Sequence, residues 1–234
     1  GTNTFVSSDA NTLNYDLVFL KPWKSKAEIA FEFEEQGEKT KVTWRMNSSM
    51  PFFMFFMIKM MKNMIGMDYD RGLRMLKEIA EKGELKCATE NKGTVDYKGF
   101  SYIGIERTVS VADMPDAMAK DFQKIVDDIV VKANKNARHW ITVYPKFDMK
   151  TMTATYIAAV SDEDLANTDL DSSYLRGRIN DTQALEVAHD GSYEFIGNAW
   201  SMGMMYMQAK KMKGGDAPFE QYWNSPMEVK PEEL

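Results

Sequence analysis

The residue with the most suggestive chemistry is Glu220, which the sequence sets among aromatic side chains. Phe219, Tyr222 and Trp223 surround it in the run FEQYW. A carboxylate among aromatic rings can attract a flat cationic ligand, because its charge and the electron-rich ring faces act on the same positive group. Taken alone, the pattern favours an exposed loop glutamate, since glutamate is seldom buried unless it is paired.

Two segments rich in β-branched and aromatic residues, HWITVYPKFD and TMTATYIAAV, predict strands that could wall such a site. Trp140 and Tyr144 are an even number of residues apart, so they should lie on the same face of the first strand. Tyr156 shares its parity with Ala154 and Ala158 in the second. Small alanines beside an aromatic ring leave room for a ligand, but they leave equal room for a packed helix. Pocket lining and core packing therefore remain alternatives for the three aromatic residues.

The sequence HDGSY at residues 189–193 predicts a turn into a helix. The chain has one other histidine, His139, and no Cys or His partner lies at metal-ligand spacing, so no metal site is predicted. We expect His189 to hold the turn by hydrogen bonding. Gly191 would relax the backbone there, and Ser192 would cap the helix.

No pattern in the sequence predicts catalytic residues or a cofactor. Cys87 is the only cysteine and has no local base, and no phosphate loop, nucleophile elbow or paired-carboxylate motif is present. Tyr193 begins the predicted helix and can point into a groove. Trp200 lies farther along that helix, where an aromatic residue is more often part of a core than a ligand contact.

Charge and composition narrow the classes of partner. The 234 residues are 44% hydrophobic and carry a net charge of −6, with no run of Lys or Arg longer than two. A globular chain is expected, and direct nucleic-acid binding is not, because such binding depends on neutralising phosphates. A single thiol cannot form an internal disulfide. Together with the lack of a visible leader, this predicts a cytoplasmic protein.

The run PFFMFFMIKMM at residues 51–61 resembles a membrane segment in composition. A spanning helix needs roughly 20 apolar residues, and only seven separate Pro51 from Lys59. We therefore expect its Phe and Met side chains to be buried where a helix packs against a sheet, and we expect no membrane partner.

Periodicity predicts the elements of the first 85 residues. Residues 1–12 are polar and expected to be loosely ordered, and residues 13–20 read as a strand. Alternation over 27–34 and 40–46 predicts a hairpin whose Glu and Lys side chains pair on the polar face.

A helix should follow from Pro51, break near Gly66 and Asp68, and end at Gly83. Its apolar face should cover the hairpin. The stretch 83–100 contains three Lys and three Gly with little apolar content, and residues 86–96 within it are predicted to be a linker.

The remainder, 97–234, contains a unit that appears twice. The strand-like run SYIGIERTVSV precedes a helical run near residue 114, and TQALEVAHDGSY precedes another near residue 195. An acidic loop is expected over 161–173. Two related halves would enclose a groove, and grooves are preferred ligand sites. The predicted class is α+β, with antiparallel sheets and long helices.

From residue 97 onward the chain resembles the gyrase-inhibitor-like (GyrI-like) effector-binding domains of multidrug-responsive regulators. The matching stretches are GFSYIGIERTVSVADMP, VYPKFD, HDGSYEFIGNAW and FEQYWNSP. The resemblance implies a duplicated β-α-β-β domain with Glu220 as the acidic residue beneath its groove. Tyr222, Tyr144, Tyr156, Trp140, Tyr193 and Trp200 would line that groove.

The first 85 residues resemble the C-terminal part of a helix-grip domain of the START-like, polyketide-cyclase type. The matching pattern is the strand GEKTKVTWRM followed by a long helix ending DRGLRMLKEIAEKG. The strand, two short helices and further strands with which such domains usually begin are absent. This segment is therefore expected to be a partial helix-grip domain.

The resemblance implies non-catalytic binding of small amphipathic molecules, including cationic aromatic ones, for sensing or sequestration. An alternative is hydrolysis of strained, cyclopropane-type electrophiles by a pocket glutamate and tyrosine. Tetrapyrrole binding is a third possibility, because the related SOUL fold shares the duplicated architecture. The expected partner is a small-molecule ligand, and a homodimer is compatible with this interpretation.

Overall fold

The computed structural model of the chain describes residues 1–20, 24–49, 51–134, 139–161 and 170–234. It divides into two compact units, residues 1–85 and residues 86–234. Both units combine antiparallel strands with helices, which confirms the predicted α+β class. Residues 162–169 of the predicted acidic loop lie outside the described ranges. Within those ranges, no helix combines the length and apolar content needed to cross a membrane.

The first unit is a four-stranded sheet followed by one long helix. Its elements are β1 (Thr2–Ser8), β2 (Thr12–Phe19), β3 (Ser25–Gln36), β4 (Lys39–Ser48), a 3₁₀ turn (Phe52–Met57) and α1 (Ile58–Lys82). Each strand pairs antiparallel with the next, in the order β1-β2-β3-β4. Gly83 ends α1 with φ of 83°, a left-handed conformation that glycine adopts without strain, as predicted.

The hairpin β3–β4 follows its period-two sequence closely. Phe31 lies opposite Trp44, so the alternate apolar residues of both strands lie on the same face of the sheet. On the other face Glu34 lies directly opposite Lys41, and their charged groups are 3.3 Å apart. The predicted cross-strand pairing is therefore confirmed.

An aromatic row fastens the helix to this sheet. Ring contacts run across the strands and onto α1, through Phe5, Tyr15, Phe31, Trp44 and Tyr69. The Trp44 and Tyr69 rings stack with centroids 3.8 Å apart. One turn later along α1 the backbone of Gly72 lies against the same indole, where an added Cβ would be 2.7 Å from the ring.

Three expectations for this unit are wrong. Residues 2–8 form β1, because an edge strand is held by backbone hydrogen bonds and needs no apolar side chains. Helix α1 continues through Gly66 without a break, since one glycine costs a helix only about 1 kcal/mol. The phenylalanines of 52–56 are exposed rather than buried, because α1 meets the sheet farther along, at Tyr69 and Gly72.

The second unit contains the remaining strands and helices. They are β5 (Cys87–Tyr97), β6 (Ser101–Ser110), α2 (Met114–Ile125) with its π-helical continuation (Val126–Lys132), β7 (Trp140–Asp148), β8 (Thr153–Ser161), β9 (Leu175–Arg178), β10 (Thr182–Gly191), α3 (Gly197–Lys210) and β11 (Phe219–Tyr222). Five strands form one sheet in the order β11-β7-β8-β6-β9, and β10 pairs with β5 in a second.

The predicted linker at residues 86–96 is wrong, because this segment forms most of β5. Its side chains alternate between half-buried and exposed, the pattern of a strand with one covered face. The partner is β10, which pairs Cys87 with Gly191 and Tyr97 with Thr182. The mostly polar composition of this segment conceals the strand, because the partner that stabilises it is distant in sequence.

The repeat seen in the sequence corresponds to two strand–helix–strand passages, β6-α2-β7 and β10-α3-β11. With the first half taken as β5 to β8 and the second as β9 to β11, the two halves exchange strands, since β5 pairs with β10 while β6 pairs with β9. One core cluster lies between the five-stranded sheet and α2 and includes Ile103, Ile125 and Tyr156. The face of the sheet that meets α2 also carries the candidate site.

Candidate functional site

Strand β11 brings Glu220 into the second unit's sheet. It pairs antiparallel with β7, so that Glu220 lies opposite Thr142 and Tyr222 lies opposite Trp140. Side chains two residues apart on a strand share a face. Glu220 and Tyr222 therefore point to the same side of the sheet as Trp140 and Tyr144.

Three aromatic side chains donate hydrogen bonds to the Glu220 carboxylate. The indole Nε1–H of Trp200 on α3 donates to Oε1 at 2.5 Å. The hydroxyls of Tyr144 and Tyr222 donate to Oε2 at 2.9 and 2.5 Å. Short bonds of this kind to a carboxylate are stronger than those between neutral groups. Glu220 is thereby fixed in one orientation at the junction of the two halves.

The donors are themselves enclosed by aromatic rings. Tyr144 meets Trp200 edge to face at 5.3 Å between centroids, and Tyr193 lies 5.3 Å from Tyr222. The Tyr193 hydroxyl donates to the backbone oxygen of Asn224 at 3.1 Å, which anchors the residue that begins the second half's helical segment. Four of the predicted site aromatics thus surround Glu220 directly or through one ring contact.

The electrostatics of the cluster keep the tyrosines protonated. Burial, reinforced by the negative charge of Glu220, raises the pKa of Tyr144 and of Tyr222 well above the usual tyrosine value. The same causes raise the pKa of Tyr193 to about 12.

Across the described part of the chain, no Lys, Arg or His forms an ion pair with Glu220. Its hydrogen-bond partners are all neutral.

Tyr156 lies on the same face of the sheet but belongs to a different network. It is fully buried, and its hydroxyl donates to Oδ2 of Asp121 at 2.7 Å. Arg107 donates to both oxygens of that carboxylate. Hydrogen bonding to Asp121 raises the pKa of the Arg107 guanidinium, and burial raises the pKa of Tyr156. The arrangement fastens α2 to strands β6 and β8.

Trp140 reaches the cluster indirectly. Its ring packs edge to face against Phe122 of α2 at 5.9 Å between centroids, and Phe122 packs in the same way against Tyr222. Trp140 is partly buried and also borders the core cluster under α2. It therefore forms the outer layer of the aromatic wall rather than a contact of the carboxylate.

His189 holds the turn that precedes α3, as the sequence predicted. Its Nε2 lies 3.0 Å from the backbone oxygen of Ser192, and its Nδ1 lies 3.4 Å from the hydroxyl of Thr89. Ser192 accepts a hydrogen bond from the backbone N–H of Glu194, and Gly191 adopts φ of 107°. The motif is thus a structural turn that positions Tyr193 and the helix carrying Trp200.

Two residues of the cluster were missed by the sequence reasoning. The hydroxyl of Thr142 lies 3.0 Å from that of Tyr222. Since the single phenol proton is engaged at Glu220, Thr142 is the donor in this contact. The β11–β7 register that brings it there is not encoded in any local motif. Phe122 belongs to the apolar stripe of α2, and only the packing of α2 shows that it also touches Tyr222.

Metal binding finds no support in the described residues, where no group of three or more His, Cys, Asp or Glu side chains could hold an ion. His139 instead stacks on Phe100 and contacts the side-chain amide of Gln221 at 3.0 Å. Both histidines of the chain therefore serve in local hydrogen bonding.

No family model and no curated protein matches the sequence. Among solved structures, an integron cassette protein from the mobile metagenome of Vibrio cholerae is similar, with 14% identity, a TM-score of 0.42, and coverage of 58% of this chain and 92% of that one. EcmrR, solved in a complex with DNA, is similar with 13% identity and a TM-score of 0.47. That likeness covers 74% of this chain and 62% of the EcmrR chain.

Proposed function

We propose that this protein binds small, flat, cationic aromatic molecules at Glu220, without chemical transformation, at the junction of the two halves of its second unit. The site combines one carboxylate with aromatic side chains that supply apolar contact area. Such a combination recognises a positive charge and an aromatic surface in the same ligand.

The observation that carries the proposal is the uncompensated charge of Glu220. Its three hydrogen-bond donors, Trp200, Tyr144 and Tyr222, are neutral, so they orient the carboxylate without cancelling its charge. The three hydrogen bonds satisfy the carboxylate oxygens, but the negative charge of Glu220 has no cationic partner among the described residues. A ligand cation that approaches Glu220 gains a charge contact, whereas a neutral ligand does not.

The aromatic side chains around Glu220 account for the preference for a flat aromatic ligand. Tyr193 and Tyr222 are tilted toward each other, and Trp200 stands edge-on to Tyr144. Rings held by hydrogen bonds present preorganised faces, so less conformational entropy is lost on binding. The resemblance of residues 97–234 to GyrI-like effector-binding domains agrees with this proposal, and it suggests drug sensing or sequestration as the biological role.

The test compares two probes of nearly equal shape, N-methylacridinium and neutral acridine, at mildly alkaline pH. Fluorescence titration of the wild-type chain should show tighter binding of the cation. Glu220→Gln keeps the size of the side chain and one acceptor oxygen but removes its charge. We expect it to weaken N-methylacridinium by about tenfold or more and to change acridine binding little, since a close charge contact in a partly desolvated site is worth over 1 kcal/mol.

Glu106→Gln is the matched control, because Glu106 is an exposed glutamate of the same unit on β6. It changes the net charge by the same amount and should leave both affinities unchanged. Equal losses for both probes in Glu220→Gln, or an equal effect in Glu106→Gln, would contradict the assigned role of Glu220.

A second candidate function is hydrolysis of a strained electrophile, which the Tyr222–Glu220 contact favours. A phenol 2.5 Å from a carboxylate can share a proton with it, and such a pair can act in general acid–base catalysis. The raised pKa of Tyr222 keeps its phenol protonated, so Tyr222 would polarise the electrophile by hydrogen bonding while Glu220 activates water. Turnover of a cyclopropane-bearing electrophile that is abolished in Glu220→Ala would support this function. Binding of such a compound without turnover would support the first.

A further inference from the structure

The turn that precedes α1 exposes an unusual amount of aromatic surface. In this aromatic turn, defined as residues Phe52–Met57, the phenylalanines at 52, 53, 55 and 56 are 89%, 73%, 62% and 63% exposed. Phe52 and Phe55 contact each other with centroids 6.0 Å apart, and Phe55 contacts Phe56 at 6.3 Å. A contiguous exposed apolar patch of this kind marks an interaction surface, whereas isolated exposed residues do not.

The charge around the aromatic turn is opposite to that of the chain as a whole. Residues 52–67, which comprise the aromatic turn and the first ten residues of α1, contain no acidic residue and two cationic ones, Lys59 and Lys62. Lys59 and Lys62 lie in the first turns of α1, are exposed, and form no ion pair with a described residue. The chain as a whole carries a net charge of −6. Around the aromatic turn, by contrast, positive charge lies beside exposed apolar side chains.

We propose that the aromatic turn is a peripheral anchor that inserts into the surface of an anionic lipid bilayer. The phenylalanine rings would enter the boundary between headgroups and acyl chains, and Lys59 and Lys62 would contact anionic headgroups. A segment of this length cannot span a bilayer, but exposed aromatic rings beside lysines have the composition of an interfacial contact. The expectation of no membrane partner assumed that these rings were buried, and their exposure removes that premise.

The charges favour a bilayer over a second copy of the chain. In a symmetric dimer each surface faces the same surface of its partner, so Lys59 and Lys62 would approach the equivalent lysines. An anionic bilayer instead places negative charge opposite every lysine, and each such contact strengthens binding.

The experiment measures sedimentation of the full chain with vesicles of phosphatidylcholine alone and of phosphatidylcholine mixed with phosphatidylserine. We expect binding to the mixed vesicles and much weaker binding to the neutral ones. Phe52→Ser combined with Phe53→Ser should reduce the partition coefficient by about tenfold or more, because two rings no longer leave water. The control combines Trp223→Ser with Met227→Ser, both 84% exposed in the second unit, and should bind as the wild type does.

A second pair of variants tests the charges. Lys59→Glu with Lys62→Glu should lower binding to the mixed vesicles by about tenfold or more, since each lysine near an anionic surface contributes roughly 1 kcal/mol. Lys120→Glu with Lys150→Glu makes the same charge change at exposed positions of the second unit and should have a small effect. Circular dichroism of every variant should match the wild type, because the substituted side chains are exposed.

Three outcomes would overturn the proposal. The first is that the wild-type chain sediments with neither kind of vesicle. The second is that the two phenylalanine substitutions leave binding unchanged. The third is a wild-type dimer, measured by light scattering, that the phenylalanine substitutions convert to monomer while vesicle binding is absent. That result would assign the aromatic turn to a protein interface.

Discussion

The indole Nε1 of Trp200 lies 2.5 Å from Oε1 of Glu220 and joins helix α3 to strand β11. This contact connects the helix of the second half to the strand that pairs with the first half. Trp200 is therefore both a site residue and a structural contact, and its replacement should affect stability as well as binding.

Trp200→Phe removes the donor and keeps an aromatic ring in place. We expect the free energy of unfolding to fall by about 1–3 kcal/mol, because a hydrogen bond to a charged group is lost and the carboxylate loses a partner. Urea denaturation measures the change. Trp223→Phe is the control, because Trp223 is 84% exposed, and its effect should be close to zero. Equal effects in the two variants would show that the indole N–H contributes nothing.

Two glycines of α1 should respond in opposite directions to the same substitution. A methyl group added at Gly66 would meet no atom within 4 Å, so Gly66→Ala should stabilise the chain by about 0.5–1 kcal/mol through helix propensity. At Gly72 the added Cβ would lie 2.7 Å from the Trp44 ring, and the stacked Tyr69 limits how far that ring can move. Gly72→Ala should therefore destabilise it. Thermal unfolding of both variants measures the signs, and stabilisation by Gly72→Ala would contradict the packing of Trp44.

Asp121 should be essential to the attachment of α2. It is 2% exposed and accepts hydrogen bonds from Tyr156 and Arg107. Asp121→Asn should lower the free energy of unfolding by about 2–4 kcal/mol, less than for a fully buried pair because the Arg107 side chain is 46% exposed. Chemical denaturation gives the value. Asp127→Asn, at an exposed position of the same helical region, should cost under about 1 kcal/mol.

Asp128 should make stability sensitive to acid. Hydrogen bonds from Lys124 and Lys132 lower the pKa of its carboxyl to about 2, below the value of about 3.9 for an unfolded aspartate. The stabilisation is thus complete above pH about 4 and is lost as the pH falls toward 2. Unfolding of the wild type and of Asp128→Asn should differ most near neutral pH and converge through that window. A difference that stays constant from neutral pH to pH about 2 would contradict this role.

Local patterns predicted the parts of the fold that depend on neighbouring residues. The β3–β4 hairpin, the glycine stop of α1 and the turn at His189 each follow from a short stretch of sequence. Strand β5 was missed, because its hydrogen bonds go to β10 and its own composition resembles a linker. The aromatic turn was placed in the core because apolar content alone does not show which side of a helix meets a sheet.

The candidate site could likewise be predicted from the sequence only in part. Alternation placed Trp140 and Tyr144 on one face, and the structure has them there. The resemblance to a family singled out Glu220, which composition alone would leave in an exposed loop. The identity of its three donors depends on the pairing of β11 with β7 and on the position of α3. These are contacts between segments far apart in the chain, and no local spacing specifies them.

The strand exchange between the halves of the second unit constrains how this unit folds. Strands β5 and β6 belong to the first half, but β5 has its partner β10 in the second half, and β6 pairs with β9 as well as β8. Neither half can complete its pairing until the chain between them has closed a long loop, which slows folding. The unit should therefore unfold in one cooperative step, and a fragment that ends after β8 should not persist as a folded half.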